Sequence, residues 1–404
     1  MTEPTAATPP TAATQTPPRR SKRRWLFVAI CLVGIPLGLS GLDHLVGLLA
    51  GSPPRHLLFP SGSRVRHESA EFDVEVVISG QGLRDRDFPE GPAAAGTRLV
   101  AIGDSFTFGW GVRAEEAWPK ILERHGGGTN EKIEVINFGF PGASPNDYSW
   151  MITQALDHFR PDIVLIGTLQ GDDLIQLVEQ EPEEVGGTRR LGETLFPTLF
   201  GRLKTAPPTM ESYRSVFLKS QAYLRSTLTA KQQQRYQGLS PEVRRAFESG
   251  LLNPSLVHTA MTHPGRFTQP LTGGSRWQGD AETRFRRCVR QWADQCRRAD
   301  AKLKVVIVPD GPYVSQAAAG GMRAVGYDVP GSLTESTVCQ EVVIEICGEA
   351  GVGVINPVAE FRKAADSEDP NGPGDYFELD GHFTPQGQRR LGEAVSRSIW
   401  PRPE

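Results

Sequence analysis

The sequence predicts an α/β fold in which helices cover both faces of a parallel sheet. From residue 98 onward, short aliphatic runs alternate with amphipathic helical stretches. Most residues of each run are apolar, which is typical of strands that are buried on both faces. In such folds, ligands bind beyond the carboxyl ends of the strands. The runs are LVAIG (99–103), IEVINFG (133–139), IVLIG (163–167), KVVIVP (304–309) and GVINP (353–357).

The segment before this pattern predicts a single-pass membrane anchor. Residues 1–24 are rich in Pro, Thr and Ala and end in five basic residues, so we expect a disordered cytoplasmic tail. Residues 25–50 are the predicted transmembrane helix, because no charged residue occurs from Trp25 to Leu42 and about 20 apolar residues cross a bilayer. The positive-inside rule then places the remaining chain outside the cytoplasm. A cleaved signal peptide and a buried soluble helix are the alternatives.

Two further segments flank or interrupt the α/β pattern. Residues 51–96 form a lead-in, and the alternation of Phe72, Val74 and Val76 with polar residues predicts short strands there. The α/β domain spans residues 97–400, but its strand pattern stops between about 178 and 280. That insertion carries aromatic residues at roughly helical spacing, so we expect a helical cap over the sheet, with a disordered insertion as the alternative.

Composition and cysteine usage narrow the class of protein. Of 404 residues, 23% are charged, which excludes a polytopic membrane protein, and the net charge of −3 gives no overall attraction to nucleic acid. Outside the predicted membrane helix, four cysteines form two pairs, each spaced by eight residues. Parallel helices would allow bridges from Cys288 to Cys339 and from Cys296 to Cys347. Buried free thiols are the alternative.

A serine nucleophile with a histidine base is the chemistry that the strand ends offer. Ser105 follows the first strand of the sheet in the segment GDSF, so its hydroxyl is expected at the carboxyl edge. A serine needs a base, which His382 supplies just before the last helix, and Asp380 can orient the imidazole. The remaining exported histidines are expected to be surface or packing residues: His56, His67, His125, His158, His258 and His263.

On these motifs the chain resembles the SGNH/GDSL hydrolase superfamily over about residues 97–178 and 280–400. VAIGDSFTFG matches the first block with Ser105 as nucleophile, INFGFPGAS the second with Gly142, and LDGHFTPQG the last with His382 as base. The resemblance implies a flavodoxin-like three-layer α/β/α sandwich. It also implies an oxyanion hole with the N–H groups of Ser105 and Gly142. Asp380 stands two residues before the histidine, whereas the family has Asp-x-x-His.

The third block departs from the family's pattern. The chain has Gly171-Asp172-Asp173 where the family has Asn-Asp after a glycine, so Asp172 takes the place of an oxyanion donor. An ionised carboxylate donates nothing and repels the oxyanion. Either a protonated Asp172 or Gln170 supplies the donor, or the activity is impaired. Alternatively, Asp172 only caps the helix that follows.

The resemblance implies a serine esterase that acts through an acyl-enzyme on a small ester or an acetylated glycan, and the N-terminal segment predicts that the enzyme is exported and membrane-anchored. Neither a phosphate loop nor a histidine cluster with ligand spacing occurs, so no cofactor or metal is expected, and nucleic acid is not an expected partner. An O-acyltransferase that modifies an envelope polysaccharide and a non-catalytic binding protein are the alternatives. Trp110, Trp150 and Trp277 are candidate sugar-stacking residues, with core packing as the favoured interpretation.

Overall fold

A computed structural model describes residues 34–50, 57–126, 132–179, 195, 212–271, 276–367 and 374–401. The chain divides into two compact units, one made of Met1–Pro53 and Val185–Thr205, the other of Pro54–Glu184 and Ala206–Glu404. The first unit contains helix α1 (Ile35–Ala50), which exposes large apolar side chains such as Leu37 and Leu42. Within the described ranges, no helix combines the length and apolar composition that a membrane span requires. The predicted tail 1–24, and residues 25–33 of the predicted transmembrane helix, lie outside them.

The second unit is built on a parallel sheet of five strands, in the spatial order β4-β3-β5-β6-β7. A separate antiparallel hairpin, β1 with β2, precedes it in the lead-in segment. The strands are β1 (Arg64–Glu68), β2 (Asp73–Val77), β3 (Thr97–Gly103), β4 (Ile133–Gly139), β5 (Ile163–Leu169), β6 (Lys302–Val308) and β7 (Gly353–Ile355). Each predicted aliphatic run coincides with one sheet strand, and the order is that of flavodoxin-like folds.

Helices connect the strands and surround the sheet. They are α2 (Ser105–Phe108), α3 (Trp118–His125), α4 (Pro145–Phe159), α5 (Asp172–Glu179), α6 (Tyr213–Ser226), α7 (Ala230–Gln237), α8 (Pro241–Glu248), α9 (Pro254–Thr262), α10 (Arg276–Arg298), α11 (Gln316–Val325), α12 (Val338–Glu349), α13 (Val358–Ser367) and α14 (Pro385–Ile399). Short 3-10 helices add to these, among them Arg266–Leu271. Helices α4, α5, α10 and α12 contact one another as one group, whereas α3 packs on α14. A three-layer sandwich requires two such groups, and the predicted α/β fold with a parallel sheet is confirmed.

The sheet is buried because its strands are apolar on both faces. In β3, four consecutive residues from Leu99 to Ile102 are fully buried, and the central residues of β5 are equally inaccessible. Helices cover both faces of such a parallel sheet, so neither face of a central strand is open to water. Polar side chains therefore collect where β3, β4, β5 and β6 end, at the carboxyl edge of the sheet.

Helices α6 to α9 lie within the insertion and pack onto the same core as the sheet. Phe247 and Val257 are buried in the cluster that contains the strands. The Tyr327 hydroxyl donates to the carbonyl of Leu256 at 3.0 Å, and Ala70 N–H donates to the carbonyl of Leu251 at 2.8 Å. These contacts tie the insertion to both the lead-in segment and the end of α11.

The four cysteines on α10 and α12 are buried free thiols rather than disulfides. Burial raises the pKa of Cys288 to about 11 and that of Cys296 to about 12. Of the two alternatives that the spacing left open, the structure therefore selects the thiols. Packing and an ion pair between Arg286 and Glu349 hold the two helices together.

Candidate active site

Ser105 is presented at the carboxyl edge of the sheet by a tight turn between β3 and α2. Gly103 ends the strand, and a Cβ at this position would lie 2.2 Å from the Thr107 hydroxyl oxygen, so only glycine fits. The Asp104 carboxylate then accepts the N–H of Phe106 at 2.9 Å and caps the helix. Strand, turn and cap together fix the position of the serine hydroxyl.

The structure brings Ser105, His382 and Asp380 into one hydrogen-bonded series. His382 Nε2 lies 2.7 Å from Ser105 Oγ, and His382 Nδ1 lies 2.6 Å from Asp380 Oδ1. These are the contacts that a general base and its orienting acid need. The second carboxylate oxygen of Asp380 accepts the indole N–H of Trp110 at 3.3 Å. All three residues predicted for catalysis therefore meet at one point.

The two-residue spacing between Asp380 and His382 is made possible by the glycine between them. Gly381 has φ = +80°, a left-handed conformation that turns the chain so that both neighbouring side chains reach each other. Glu71 holds the loop from the other side, because its carboxylate accepts the N–H groups of Leu379 at 3.1 Å and of Asp380 at 2.8 Å. The lead-in segment thus positions the acid of the triad.

The environment of Asp380 keeps this carboxyl group charged. Burial raises its pKa, but the charge of His382 and hydrogen bonds from His382 and Trp110 outweigh burial and hold the pKa below its usual value. The imidazole of His382 is confined between two rings: it stacks on Trp110 with ring centroids 5.5 Å apart and contacts Phe106 at 4.8 Å. A charged acid beside a confined ring favours one tautomer of the base.

His67 of β1 packs behind the triad. It is 1% exposed and lies 4.2 Å from both Trp110 and Tyr213, measured between ring centroids. Neither ring nitrogen has a hydrogen-bond partner among the described residues. Burial lowers the pKa of His67 to about 3, so the ring is neutral, as its predicted packing role requires.

Two backbone N–H groups face the cavity and can bind an oxyanion. Ser105 begins α2, and its N–H donates to no other described residue; the same holds for the N–H of Gly142. Gly142 has φ = +83°, and no atom lies within 4 Å of the point that a Cβ would occupy there, so its backbone faces open space. Because Ser105 and Gly142 both line the cavity, their N–H groups are available as oxyanion donors.

Asp172 begins α5 and forms an ion pair that sequence reasoning missed. Arg266, from the insertion, donates through Nη2 to Asp172 Oδ1 at 2.7 Å, and the side-chain amide of Gln176 donates to the other oxygen. Both carboxylate oxygens of Asp172 therefore accept hydrogen bonds from side chains of the protein. Gln170, the other candidate donor, does not line the catalytic cavity.

A cavity of about 290 Å³ opens above the triad. This is at the small end of the range for ligand sites, about 300 to 1,000 Å³. The sheet edge and the insertion both contribute to its wall, which includes Ser105, Gly142, Asp172, Asp310 and His382 from the former and Asn253, Ser255, Leu256, Thr259, Arg266 and Phe267 from the latter. Residues of α9 and of the 3-10 helix that follows it thus complete the site.

Further carboxyl groups are buried around the cavity. Burial raises the pKa of Asp104 to about 6, and it raises the pKa values of Asp173 and Asp310 well above the usual range, with neighbouring carboxylates adding to the effect. Tyr148 O–H donates to Asp173 at 3.2 Å. The raised pKa values favour the neutral forms of Asp173 and Asp310, which therefore act as uncharged polar groups, whereas Asp104 loses its proton near pH 6.

The three tryptophans considered as sugar-stacking residues have different surroundings. Trp110 is buried against the triad, as the packing interpretation predicts. Trp150 on α4 is 42% exposed and does not line the cavity. The side chain of Trp277 lies outside the described part of the chain.

The functional contacts that sequence reasoning missed, Glu71 and Arg266, come from segments with no motif, so only the folded chain reveals them.

The site contains a hydrogen-bonded series of serine, histidine and aspartate, and two unbonded N–H groups lie beside it. This arrangement defines the class of serine hydrolases. No family model matches the chain. It is 31% identical over 84 residues to an arylesterase from Vibrio mimicus; the match covers 20% of this chain and 40% of that protein. The chain therefore spans about two fifths of the length of this curated relative.

Among solved structures, the chain is similar to a protein assigned to the G-D-S-L lipolytic family from Desulfitobacterium hafniense DCB-2. The identity is 14%, the coverage 74% of this chain and 98% of that one, and the TM-score 0.34. It is also similar to a catalytic mutant of Axe2, an acetylxylan esterase from Geobacillus stearothermophilus, with 13% identity, coverage of 76% and 95%, and a TM-score of 0.36.

Proposed function

We propose that this chain is a serine ester hydrolase of the SGNH/GDSL type. The observation that carries the proposal is the continuous hydrogen-bonded series from Ser105 through His382 to Asp380, at the carboxyl edge of a flavodoxin-like sheet. A serine hydroxyl in contact with an oriented imidazole is an activated nucleophile. The similarity to an arylesterase supports ester bonds as the target.

In the proposed reaction, Ser105 Oγ attacks the ester carbonyl carbon while its proton moves to Nε2 of His382. The charge that develops on the carbonyl oxygen is stabilised by the N–H groups of Ser105 and Gly142. Asp380 stabilises the imidazolium. The intermediate collapses to an acyl-enzyme when His382 returns the proton to the leaving alcohol, and water repeats the sequence to release the acid.

The size and polarity of the cavity support a small acyl group on a polar alcohol. A volume of about 290 Å³ leaves little room for a long acyl chain. The insertion lines the cavity with Asn253, Ser255 and Thr259, whose side chains donate and accept hydrogen bonds. An acetylated carbohydrate has both properties and is the substrate class that we propose.

Hydrolysis of p-nitrophenyl acetate and p-nitrophenyl octanoate tests the proposal. We expect the full-length protein to prefer the acetate, and Ser105→Ala to lose the activity while Ser144→Ala, another serine of the sheet's carboxyl edge, keeps it. Turnover that survives Ser105→Ala would refute the proposal. Product analysis with an added polyol identifies the acyl acceptor, and ester formed in excess of free acid would favour the acyltransferase alternative.

We also propose that the domain is exported and anchored by residues 25–50. Two features support this: the basic cluster before an uncharged segment, and the exposure of apolar side chains along α1, such as Leu37, Leu39 and Leu42. Apolar side chains that face solvent all along a helix are stable in lipid and costly in water.

Protease digestion of intact and permeabilised cells tests the topology. We expect the catalytic domain to be degraded in cells from which only the outer barrier has been removed, and the protein to stay with membranes after a high-salt wash. Replacement of Leu37, Leu39 and Leu42 by Gln should release it, and matched replacements of three polar residues elsewhere should not. A protein that resists the protease after the outer barrier has been removed, or one that appears in the soluble fraction, would contradict the proposal.

A further inference from the structure

The ion pair between Asp172 and Arg266 lies in the wall of the catalytic cavity. Arg266 Nη2 donates to Asp172 at 2.7 Å, and its Nη1 lies 3.1 Å from Glu179, which does not line the cavity. The Arg266 side chain is 15% exposed. Asp172 belongs to the sheet domain and Arg266 to the insertion, so the pair joins the two parts of the site.

The charge of Asp172 acts on its neighbours at the sheet edge. Burial is the main cause of the raised pKa values of Asp104 and Asp310, and the carboxylate of Asp172 adds to both shifts. Asp104 directly precedes the nucleophile, so the field of Asp172 extends to the catalytic turn. An oxyanion formed at Ser105 would be exposed to the same field, because water does not screen charges well in a small cavity.

Arg266 is held firmly enough to counter this field. The segment around it is fixed to the end of α11, since the N–H of Asp328 donates to the carbonyl of Pro264 at 2.8 Å. The ring of Phe267 packs on Tyr327 with centroids 5.1 Å apart. A guanidinium carries its charge at every physiological pH and keeps further N–H groups beyond those bonded to Asp172 and Glu179.

We propose that Arg266 is a charge-compensating positioning residue, which neutralises Asp172 and thereby allows the site to stabilise the oxyanion of ester hydrolysis. The inference rests on the proposed function. The paired aspartate then takes the place of the neutral asparagine in the family that the chain resembles. The insertion is consequently part of the catalytic machinery, because the oxyanion site is electrostatically complete only when the 3-10 helix Arg266–Leu271 is docked.

The inference is tested by the kinetics of p-nitrophenyl acetate hydrolysis in four variants of the full chain. They are Arg266→Gln, Arg266→Lys, Asp172→Asn and the double variant Arg266→Gln/Asp172→Asn. We expect Arg266→Gln to lower kcat by about 10- to 100-fold with KM changed by less than about twofold. The reason is that the unpaired Asp172 carboxylate has the same charge as the oxyanion and therefore destabilises the transition state more than the bound ester. Arg266→Lys keeps the charge and should lose much less. The double variant should recover kcat to within about threefold of Asp172→Asn, because removal of the carboxylate removes the need for compensation.

Two controls separate charge from structure. Glu179→Gln removes the second partner of Arg266, and Arg235→Met removes an ion pair between the insertion and Asp328. Both should leave kcat unchanged, and thermal unfolding identifies any variant that loses its fold. Rescue by Asp172→Asn is the outcome that a merely structural role of Arg266 would not produce.

The outcomes distinguish this inference from the proposed function. A wild-type protein that neither hydrolyses the ester nor reacts with a fluorophosphonate at Ser105 would overturn both. A wild-type protein that reacts at Ser105, with Arg266→Gln equally fast or with a double variant as slow as Arg266→Gln, would overturn the inference alone. Equal losses in Arg266→Gln and Arg266→Lys would also overturn it, because charge would then be irrelevant.

Discussion

Replacement of Gly381 by alanine should separate the geometry of the triad from the stability of the fold. Gly381 has φ = +80°, and it alone separates Asp380 from His382. An alanine Cβ would meet the end of the Met322 side chain at 3.0 Å, a flexible group that can move aside. The cost of Gly381→Ala is therefore mainly conformational.

The magnitude follows from the backbone. A non-glycine residue in the left-handed region costs about 1–2 kcal/mol, so the free energy of unfolding should fall by that amount. If the loop relaxes instead, Asp380 and His382 move apart from their 2.6 Å contact. A displacement of about 1 Å in a catalytic group lowers the rate by about 100-fold. We therefore expect a large loss of kcat together with a small loss of stability.

Gly351→Ala is the matched control. Gly351 has φ = +67°, an alanine Cβ there would have no atom within 4 Å, and the residue lies beyond α12 rather than in the site. Urea unfolding should show a similar loss of stability for both variants, whereas ester hydrolysis should fall only for Gly381→Ala. Equal activities of the two variants would show that Gly381 is not needed for the contact between Asp380 and His382.

Three further predictions concern groups that support the site and the fold. Burial raises the pKa of Asp104 to about 6, so this group should lower the free energy of unfolding as pH rises from about 4 to 6. Asp104→Asn should remove about 2–3 kcal/mol of that decrease in urea unfolding. An unchanged dependence of the unfolding free energy on pH would contradict this prediction. Glu71→Gln weakens two hydrogen bonds to the catalytic loop and should lower kcat about tenfold, whereas exposed Glu75→Gln should have no effect. Arg98→Met leaves Glu134 with only the exposed Lys132 as a partner and takes a donor from the carbonyls of Pro89 and Phe159, so it should cost about 3 kcal/mol. Exposed Arg64→Met should cost at most about 0.5 kcal/mol, and similar losses for the two variants would contradict the stabilising role of the Arg98 contacts.

Much of the sheet was predictable because it depends on local apolar runs. Continuous apolar residues such as 99–103 and 163–167 have no stable position except a doubly buried strand, and the structure places both in the centre of the sheet. The packing of the insertion was not predictable. Its helices join the core through contacts between residues that lie far apart in the chain, such as that of Tyr327 with Leu256, and these leave no periodic signal.

The candidate site shows the same division. Ser105, Asp380 and His382 lie in short motifs at strand and helix boundaries, so their meeting could be predicted from topology. Glu71 and Arg266 lie more than 80 residues from their partners in the chain and are ordinary charged residues in sequence. The departure at Asp172 marks the place where an additional partner was needed, but the sequence alone does not identify that partner as Arg266.

Fluorophosphonate labelling of the full-length protein, with the adduct located by peptide mass spectrometry, tests the central claim most directly. We predict a single adduct on Ser105, no adduct in Ser105→Ala, and labelling at least about 1,000-fold slower in His382→Ala, because an unassisted serine hydroxyl is a weak nucleophile. Absence of an adduct in the folded wild-type protein, or equally fast labelling in His382→Ala, would show that Ser105 is not an activated nucleophile.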